Sequence, residues 1–169
     1  MDKKLNIALL IGSISSYFIV AASLTAMAFG GSATSADVSL ISMICGICFW
    51  LFLIVGIVLQ IILSKRIGRW RAKYYRIRRS MRIQPKIGLI SFLKSPLGVV
   101  SDIVFLLSVI TFAVAYYFTE GIGITCYISL SLIFFSFCSH CVFNGKNYYY
   151  ISNRQMIEDK HKKMMEESQ

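Results

Sequence analysis

The chain has 169 residues, 56% of them hydrophobic, and a mean hydropathy of +0.65, which excludes an ordinary water-soluble domain. Its net charge is +10, and the segment 64–101 carries eleven Lys and Arg residues and no acid. Because this segment contributes +11, the rest of the chain carries −1, and the basic character is local.

Four long apolar segments follow one another along the chain, at residues 7–28, 38–63, 97–118 and 122–143. Each is close to the roughly 20 residues that a helix needs to cross about 30 Å of hydrocarbon. Transmembrane strands would need shorter segments of alternating hydrophobicity, so helices are favoured. The sequence therefore predicts an all-α integral membrane protein, a four-helix bundle of two antiparallel transmembrane hairpins that forms a single membrane domain over 1–169.

The first apolar segment has two features of a secretory signal, because Lys3 and Lys4 precede it and a run of small residues at 32–36 follows it. The apolar core of a signal peptide spans roughly 7 to 15 residues, and this segment is longer. An uncleaved first helix is therefore favoured, and cleavage after Ala36 is the alternative.

The distribution of Lys and Arg predicts the orientation in the membrane. The connections at 29–37 and 119–121 contain neither residue, and all eighteen fall in the N-terminus, the central segment and the tail. The positive-inside rule then predicts cytosolic termini and a cytosolic central segment, with Asp37 and Glu120 outside. We expect a cell membrane, and a bacterial cytoplasmic membrane in particular, because the chain is compact and has no evident organelle address.

The central basic segment, 64–96, also has the spacing of an amphipathic helix. Apolar side chains recur at steps of three and four residues from Ile67 to Met81, with arginines between them. Such a cytosolic helix lies on the anionic inner leaflet, with rings at headgroup level and cations on the phosphates. A protein partner is the alternative, and tethering between two spans disfavours nucleic acid. The residues predicted to bind the inner leaflet are Lys65, Arg66, Arg69, Trp70, Arg71, Lys73, Arg76, Arg78, Arg79 and Arg82.

Two further features concern helix three and the tail. Ser95 followed by Pro96 is typical of an N-cap and a first-turn proline, and predicts the start of helix three. The tail, 144–169, opens with Lys146 and three tyrosines at 148–150, which suit a membrane interface. Acids and bases are mixed in the remainder, so we expect a solvated cytosolic C-terminal helix there.

Two ionisable residues inside the predicted spans form a candidate intramembrane pair. Asp102 precedes Glu120 by 18 residues and His140 follows it by 20, so a tight hairpin brings both to nearly the same depth. A charge facing lipid costs at least about 2.5 kcal/mol, so such groups usually face a partner. Either Asp102 favours its helix N-terminus or the basic segment and His140 merely packs, or the two form a proton-sensitive or ion-coordinating pair. A polar stripe at helical spacing on helix four consists of Thr125, Ser129 and Ser136.

The spacing of the cysteines is only weak evidence for a metal site. Cys45 and Cys48, like Cys138 and Cys141, have the spacing of zinc ligands, but the two pairs differ in depth by roughly 15 Å. Packing is therefore favoured over metal binding, and no cofactor and no metal site are predicted. The sequence has no phosphate-binding loop, HExxH motif or serine elbow, so no catalytic residue and no enzymatic activity are predicted.

The predicted function is that of a small non-enzymatic multi-pass membrane protein, an accessory or regulatory partner of a larger membrane system. Its expected partners are anionic inner-leaflet lipids and either a membrane protein or further copies of the chain. The alternative is a small transporter or oligomeric channel with a polar path along helices three and four. In a transporter or channel, the polar stripe would line a water-filled cavity or an oligomer interface. In an accessory protein, the stripe would be buried between helices without water.

Overall fold

The computed structural model describes residues 3–30, 36–75, 95–118 and 123–167. Within these residues the chain forms helices and no strand, so the all-α prediction is confirmed at this level. Four helices are long and apolar enough to cross a membrane, as predicted. The connection at 119–121 and residues 76–94 of the basic segment lie outside the described residues. The helices are α1 Lys3–Gly30, α2 Ala36–Tyr75, α3 Pro96–Phe118, α4 Ile124–Phe143, α5 Lys146–Ser152 and α6 Arg154–Glu166.

Helix α2 continues past residue 63, the predicted end of the second span, to Tyr75, so the described part of the basic segment is helical and continuous with helix two, as predicted. Its last residues are mostly good helix formers and include no proline, so nothing in the sequence interrupts the helix there. The apolar side chains of this extension are buried, with Ile67 at 2% and Trp70 at 8% exposure. The extension therefore packs against the rest of the protein.

Helix α3 begins at the predicted cap. The Ser95 hydroxyl accepts a hydrogen bond from the Gly98 N–H at 3.3 Å, and the Ser95 carbonyl accepts one from the Val99 N–H at 3.0 Å. Pro96 occupies the first helical position, where its missing N–H costs nothing. The N-cap prediction is confirmed.

Helix α1 packs antiparallel along α2. Near the start of α1, Asn6 meets Arg66, and two turns further on the Ser13 hydroxyl donates to the carbonyl of Gly56 at 3.2 Å. The same hydroxyl accepts a hydrogen bond from the Gln60 amide at 3.0 Å. Polar side chains that would be costly in an apolar environment therefore form hydrogen bonds between these two helices.

Helix α4 packs against both α1 and α3. The Thr25 hydroxyl of α1 donates to that of Ser131 at 2.9 Å, and the rings of Phe18 and Phe135 lie 5.8 Å apart, so α1 and α4 are antiparallel. The beginning of α1 and the ends of α2 and α4 consequently lie at one end of the molecule. We call this the basic end; its described cations are Lys3, Lys4, Lys65, Arg66, Arg69, Arg71 and Lys146.

A cluster of buried side chains joins the extension of α2 to the two C-terminal helices at the basic end. The rings of Trp70 and Tyr150 lie edge to face at 6.2 Å, and Ile157 of α6 is 6% exposed. We call this group the helix-end cluster. It consists of Leu63, Ile67, Trp70, Tyr150, Ile151 and Ile157.

The outer surfaces of α2 and α3 are strongly apolar. Only 11% of the most apolar part of α2, and 17% of that of α3, is buried within the protein. Contact of such an apolar surface with water would be unfavourable, because removal of apolar area from water is the main driving force of folding. The exposed side chains are those expected to face lipid.

Replacing Gly56 with alanine is expected to destabilise the protein by about 1–3 kcal/mol, because the new methyl would overpack the α1–α2 contact. A Cβ at this position lies 2.8 Å from Cε1 of the buried Tyr17 ring. The matched control is Gly68→Ala in the same helix, where no described atom lies within 4 Å of the Cβ. This control is expected to be neutral or stabilising by up to about 1 kcal/mol. Unfolding in detergent measures both, and equal effects would contradict the close contact.

Candidate functional site

Asp102 and His140 join α3 to α4 near the basic end. Asp102 lies six residues after the start of α3 and His140 three residues before the end of α4, so both lie within about 10 Å of the helix ends. Nδ1 of His140 and Oδ1 of Asp102 are in hydrogen-bonding contact, and each side chain is 20% exposed. The structure therefore brings the two predicted residues together. The rings of Phe105 and Phe137 also lie 6.4 Å apart, and the two contacts together show that α3 and α4 are antiparallel.

The second carboxylate oxygen makes the pair chemically unusual. Oδ2 of Asp102 is buried and has no hydrogen-bond partner within the described part of the chain. If the imidazole of His140 is protonated, the contact is an ion pair; if it is neutral, Nδ1–H donates a hydrogen bond to the carboxylate. The arrangement can therefore hold a proton between two helices and can link its presence to the packing of α3 on α4.

The predicted polar stripe on α4 does not remain together. Ser129 and Ser136 are each 2% exposed, whereas Thr125 is exposed. The Ser136 hydroxyl donates to the Leu132 carbonyl of its own helix at 2.6 Å, a common way to satisfy serine within a membrane helix. Two members of the stripe are thus buried, and the third is exposed on the surface of the protein.

An open groove of about 450 Å³ lies between α1 and α4. Its lining is apolar except for Thr25 and Ser131, whose hydroxyls bond each other at 2.9 Å. Neither Asp102 nor His140 contributes to it. A groove of this composition suits hydrocarbon, and it offers no path for an ion.

The residues predicted to bind the inner leaflet have different environments at the basic end. Lys65 and Arg69 are exposed, and Arg66 is half-buried. The guanidinium carbon of Arg71 lies 5.6 Å from the ring centroid of Tyr150, a cation–π contact. Outside the described part lie the side chain of Lys73 and all of Arg76, Arg78, Arg79 and Arg82.

The ring of Trp70, predicted to contact the inner leaflet, is buried against Tyr150. It belongs to one buried cluster with Ile157 of α6. The next residue of α6, Glu158, accepts a hydrogen bond from Nε of Arg154 at 2.9 Å. Burial of Glu158 disfavours the charged form, but the hydrogen bond and the charge of Arg154 outweigh it and hold the pKa of Glu158 below its ordinary value. Trp70 therefore docks α6 on α2.

The polar contacts between α1 and α2 were not predicted from the sequence. Nε of Arg66 donates to Oδ1 of Asn6 at 3.1 Å, and Asn6 is completely buried. Asn6 directly precedes the first apolar segment, so the pattern that identifies the span does not include it. The seven-residue spacing of Asn6 and Ser13, which places both on one helix face, is the signal that could have found this contact.

The cysteines are free thiols, and the described residues hold no group of three or more His, Cys, Asp or Glu side chains that could bind a metal ion. The class defined by fold and site is a helical protein with four helices suited to a membrane, an Asp–His pair and a basic end. Comparison with protein-family models, curated proteins and solved structures finds no match to this chain. Function is therefore inferred from geometry.

Proposed function

We propose that the protein is a small non-enzymatic membrane protein that acts as an accessory or regulatory partner of a larger membrane system. In this proposal it is a four-helix bundle of two antiparallel hairpins in a cell membrane, the cytoplasmic membrane of a bacterium. Both termini and the basic end face the cytosol, as the positive-inside rule favours. The exposed Lys65 and Arg69 then contact the anionic lipids of the inner leaflet.

The burial of polar side chains on α4 carries this proposal. Ser129 and Ser136 are each 2% exposed, and the hydroxyl of Ser136 is bonded within its own helix. A transport path needs polar groups that face a water-filled cavity. The groove between α1 and α4 is instead apolar, with its two hydroxyls bonded to each other. This arrangement favours a protein that acts through contacts over one that conducts ions.

Purification of the tagged full-length chain in mild detergent, with mass spectrometry of the eluted proteins and lipids, tests the proposal. We expect one membrane protein at near-stoichiometric yield, together with anionic lipid. The variant Lys65→Gln/Arg69→Gln should lower the lipid yield, since both cations are exposed at the basic end. Lys160→Gln/Lys162→Gln, which removes the same charge from α6, is the matched control and should leave it unchanged.

Two results would contradict the accessory role. The first is recovery of nothing but the homo-oligomer. The second is ion flux through vesicles that contain the purified wild-type protein alone, which would favour the oligomeric channel.

A further inference from the structure

The side-chain amide of Asn6 at the basic end is buried, and only one of its two polar atoms has a hydrogen-bond partner among the described residues. Asn6 is completely buried, and its Oδ1 accepts the hydrogen bond from Nε of Arg66 at 3.1 Å. Nδ2 of the same amide is buried and has no hydrogen-bond partner among the described residues. A buried donor without an acceptor is unfavourable, so this position is suited to a ligand that supplies an acceptor oxygen.

Arg66 provides further donors beside this amide. Its Nε donates to Asn6, which orients the guanidinium group, and no hydrogen bond to a described residue uses its two terminal nitrogens. The ion pairs in the described part of the chain join other residues, and none of them uses Arg66. A fixed guanidinium plane with two parallel donors matches the oxygens of a phosphate.

The surroundings of Arg66 combine positive charge with exposed apolar side chains. Lys65 and Arg69 are exposed next to it on α2. One turn before it, Ile62 is 41% exposed, and Leu5, which adjoins Asn6, is also 41% exposed. A ligand that fills this corner would carry a phosphate on a hydrocarbon chain, which is the chemistry of a membrane lipid and not of free phosphate.

We propose that Asn6 and Arg66 form a binding site for the phosphate of an anionic glycerophospholipid. The phosphate oxygens accept hydrogen bonds from the terminal nitrogens of Arg66 and, once a small side-chain shift uncovers the buried amide, from Nδ2 of Asn6, while an acyl chain lies along Leu5 and Ile62. The site rests on the proposed function, because it requires the basic end to face the inner leaflet. It goes further in assigning one lipid to one pair of side chains, in place of diffuse attraction to many cations.

Native mass spectrometry of the full-length protein in mild detergent tests this site, with phosphatidylglycerol, phosphatidylcholine and free glycerol phosphate as probes. We expect saturable binding of one phosphatidylglycerol, about tenfold tighter than phosphatidylcholine. Arg66→Lys keeps the charge but loses Nε and the parallel donors, so it should weaken binding about tenfold. Arg69→Lys is the charge-matched control on the same helix and should change binding less than about twofold.

A second variant tests the amide. Asn6→Leu removes the donor and the anchor of Arg66 together, and should also weaken binding about tenfold. Because Nε of Arg66 loses its acceptor, a small decrease in the unfolding midpoint is expected, and a single cooperative unfolding transition verifies that the variant is folded.

Each outcome separates the site from the proposed function. Equal effects of Arg66→Lys and Arg69→Lys, or no effect of Asn6→Leu, would overturn the site and leave general leaflet contact intact. Displacement of the lipid by glycerol phosphate at equal concentration would overturn the assignment to a lipid. Absence of any preference for phosphatidylglycerol over phosphatidylcholine would overturn both the site and the leaflet contact.

Discussion

Replacing either Asp102 or His140 with alanine is expected to lower the free energy of unfolding in detergent by about 2 kcal/mol, because the remaining partner loses its hydrogen bond. A fully buried pair would cost about 3–5 kcal/mol, and the 20% exposure of each side chain lowers the expected value. The double variant should cost less than the sum of the two single variants by at least about 1 kcal/mol, since the two residues act on one contact.

A control on the same helix distinguishes loss of the pair from general damage to α3. Thr111 is exposed and its hydroxyl donates to the Leu107 carbonyl of its own helix at 2.9 Å. Thr111→Val is expected to change the free energy of unfolding by less than about 0.5 kcal/mol. Additive effects of the two single variants at Asp102 and His140 would contradict the pair.

The same variants separate a proton-sensitive pair from mere packing. Imidazole changes its charge within the physiological range of pH, and only the protonated form makes an ion pair. A coupling energy that is larger at about pH 5 than at about pH 8 indicates a proton-sensitive pair. A coupling energy that is the same at both pH values indicates that the pair serves packing alone.

The long apolar helices could be predicted from the sequence because many residues contribute to the hydropathy of each segment. Each segment is more than twenty residues long and mostly apolar, so no single residue decides the result. The contact of Asp102 with His140 could be anticipated for a related reason. A short connection makes the two helices antiparallel, and equal distances from that connection then place residues at equal depth.

The environment of the α2 extension could not be predicted in the same way. The spacing of Ile67 and Trp70 identifies an apolar face, but the same spacing serves lipid contact and protein contact equally. The face is covered by Tyr150 and Ile157, which are far away in the sequence. Periodicity reports which side chains share a face and contains no information on what covers them.

The division of the polar stripe has a similar origin. Thr125, Ser129 and Ser136 have compatible helical spacing, but burial differs because helix α4 has two neighbours and an exposed side. Ser131, outside the predicted stripe, meets Thr25 of α1. Angular position on a single helix therefore groups the three residues but predicts neither their burial nor their partners.

Replacing Trp70 with alanine is expected to have the largest effect of a single substitution in the helix-end cluster, about 3 kcal/mol. The ring is 8% exposed and packs on Tyr150, so its loss leaves a cavity in the cluster. Trp70→Phe keeps most of the ring contact and leaves a smaller cavity, and should cost about 1 kcal/mol. Chemical unfolding in detergent measures both values.

The second tryptophan of α2 provides the matched control. Trp50 is 64% exposed on the apolar surface of the helix, so Trp50→Ala should change the free energy of unfolding by less than about 1 kcal/mol. Equal costs at the two positions would contradict the docking of α6 on α2. Hydrogen exchange locates the effect: in Trp70→Ala the amides of α5 and α6 should lose protection while those of α1 keep it, because Trp70 joins the C-terminal helices to a span that α1 also supports.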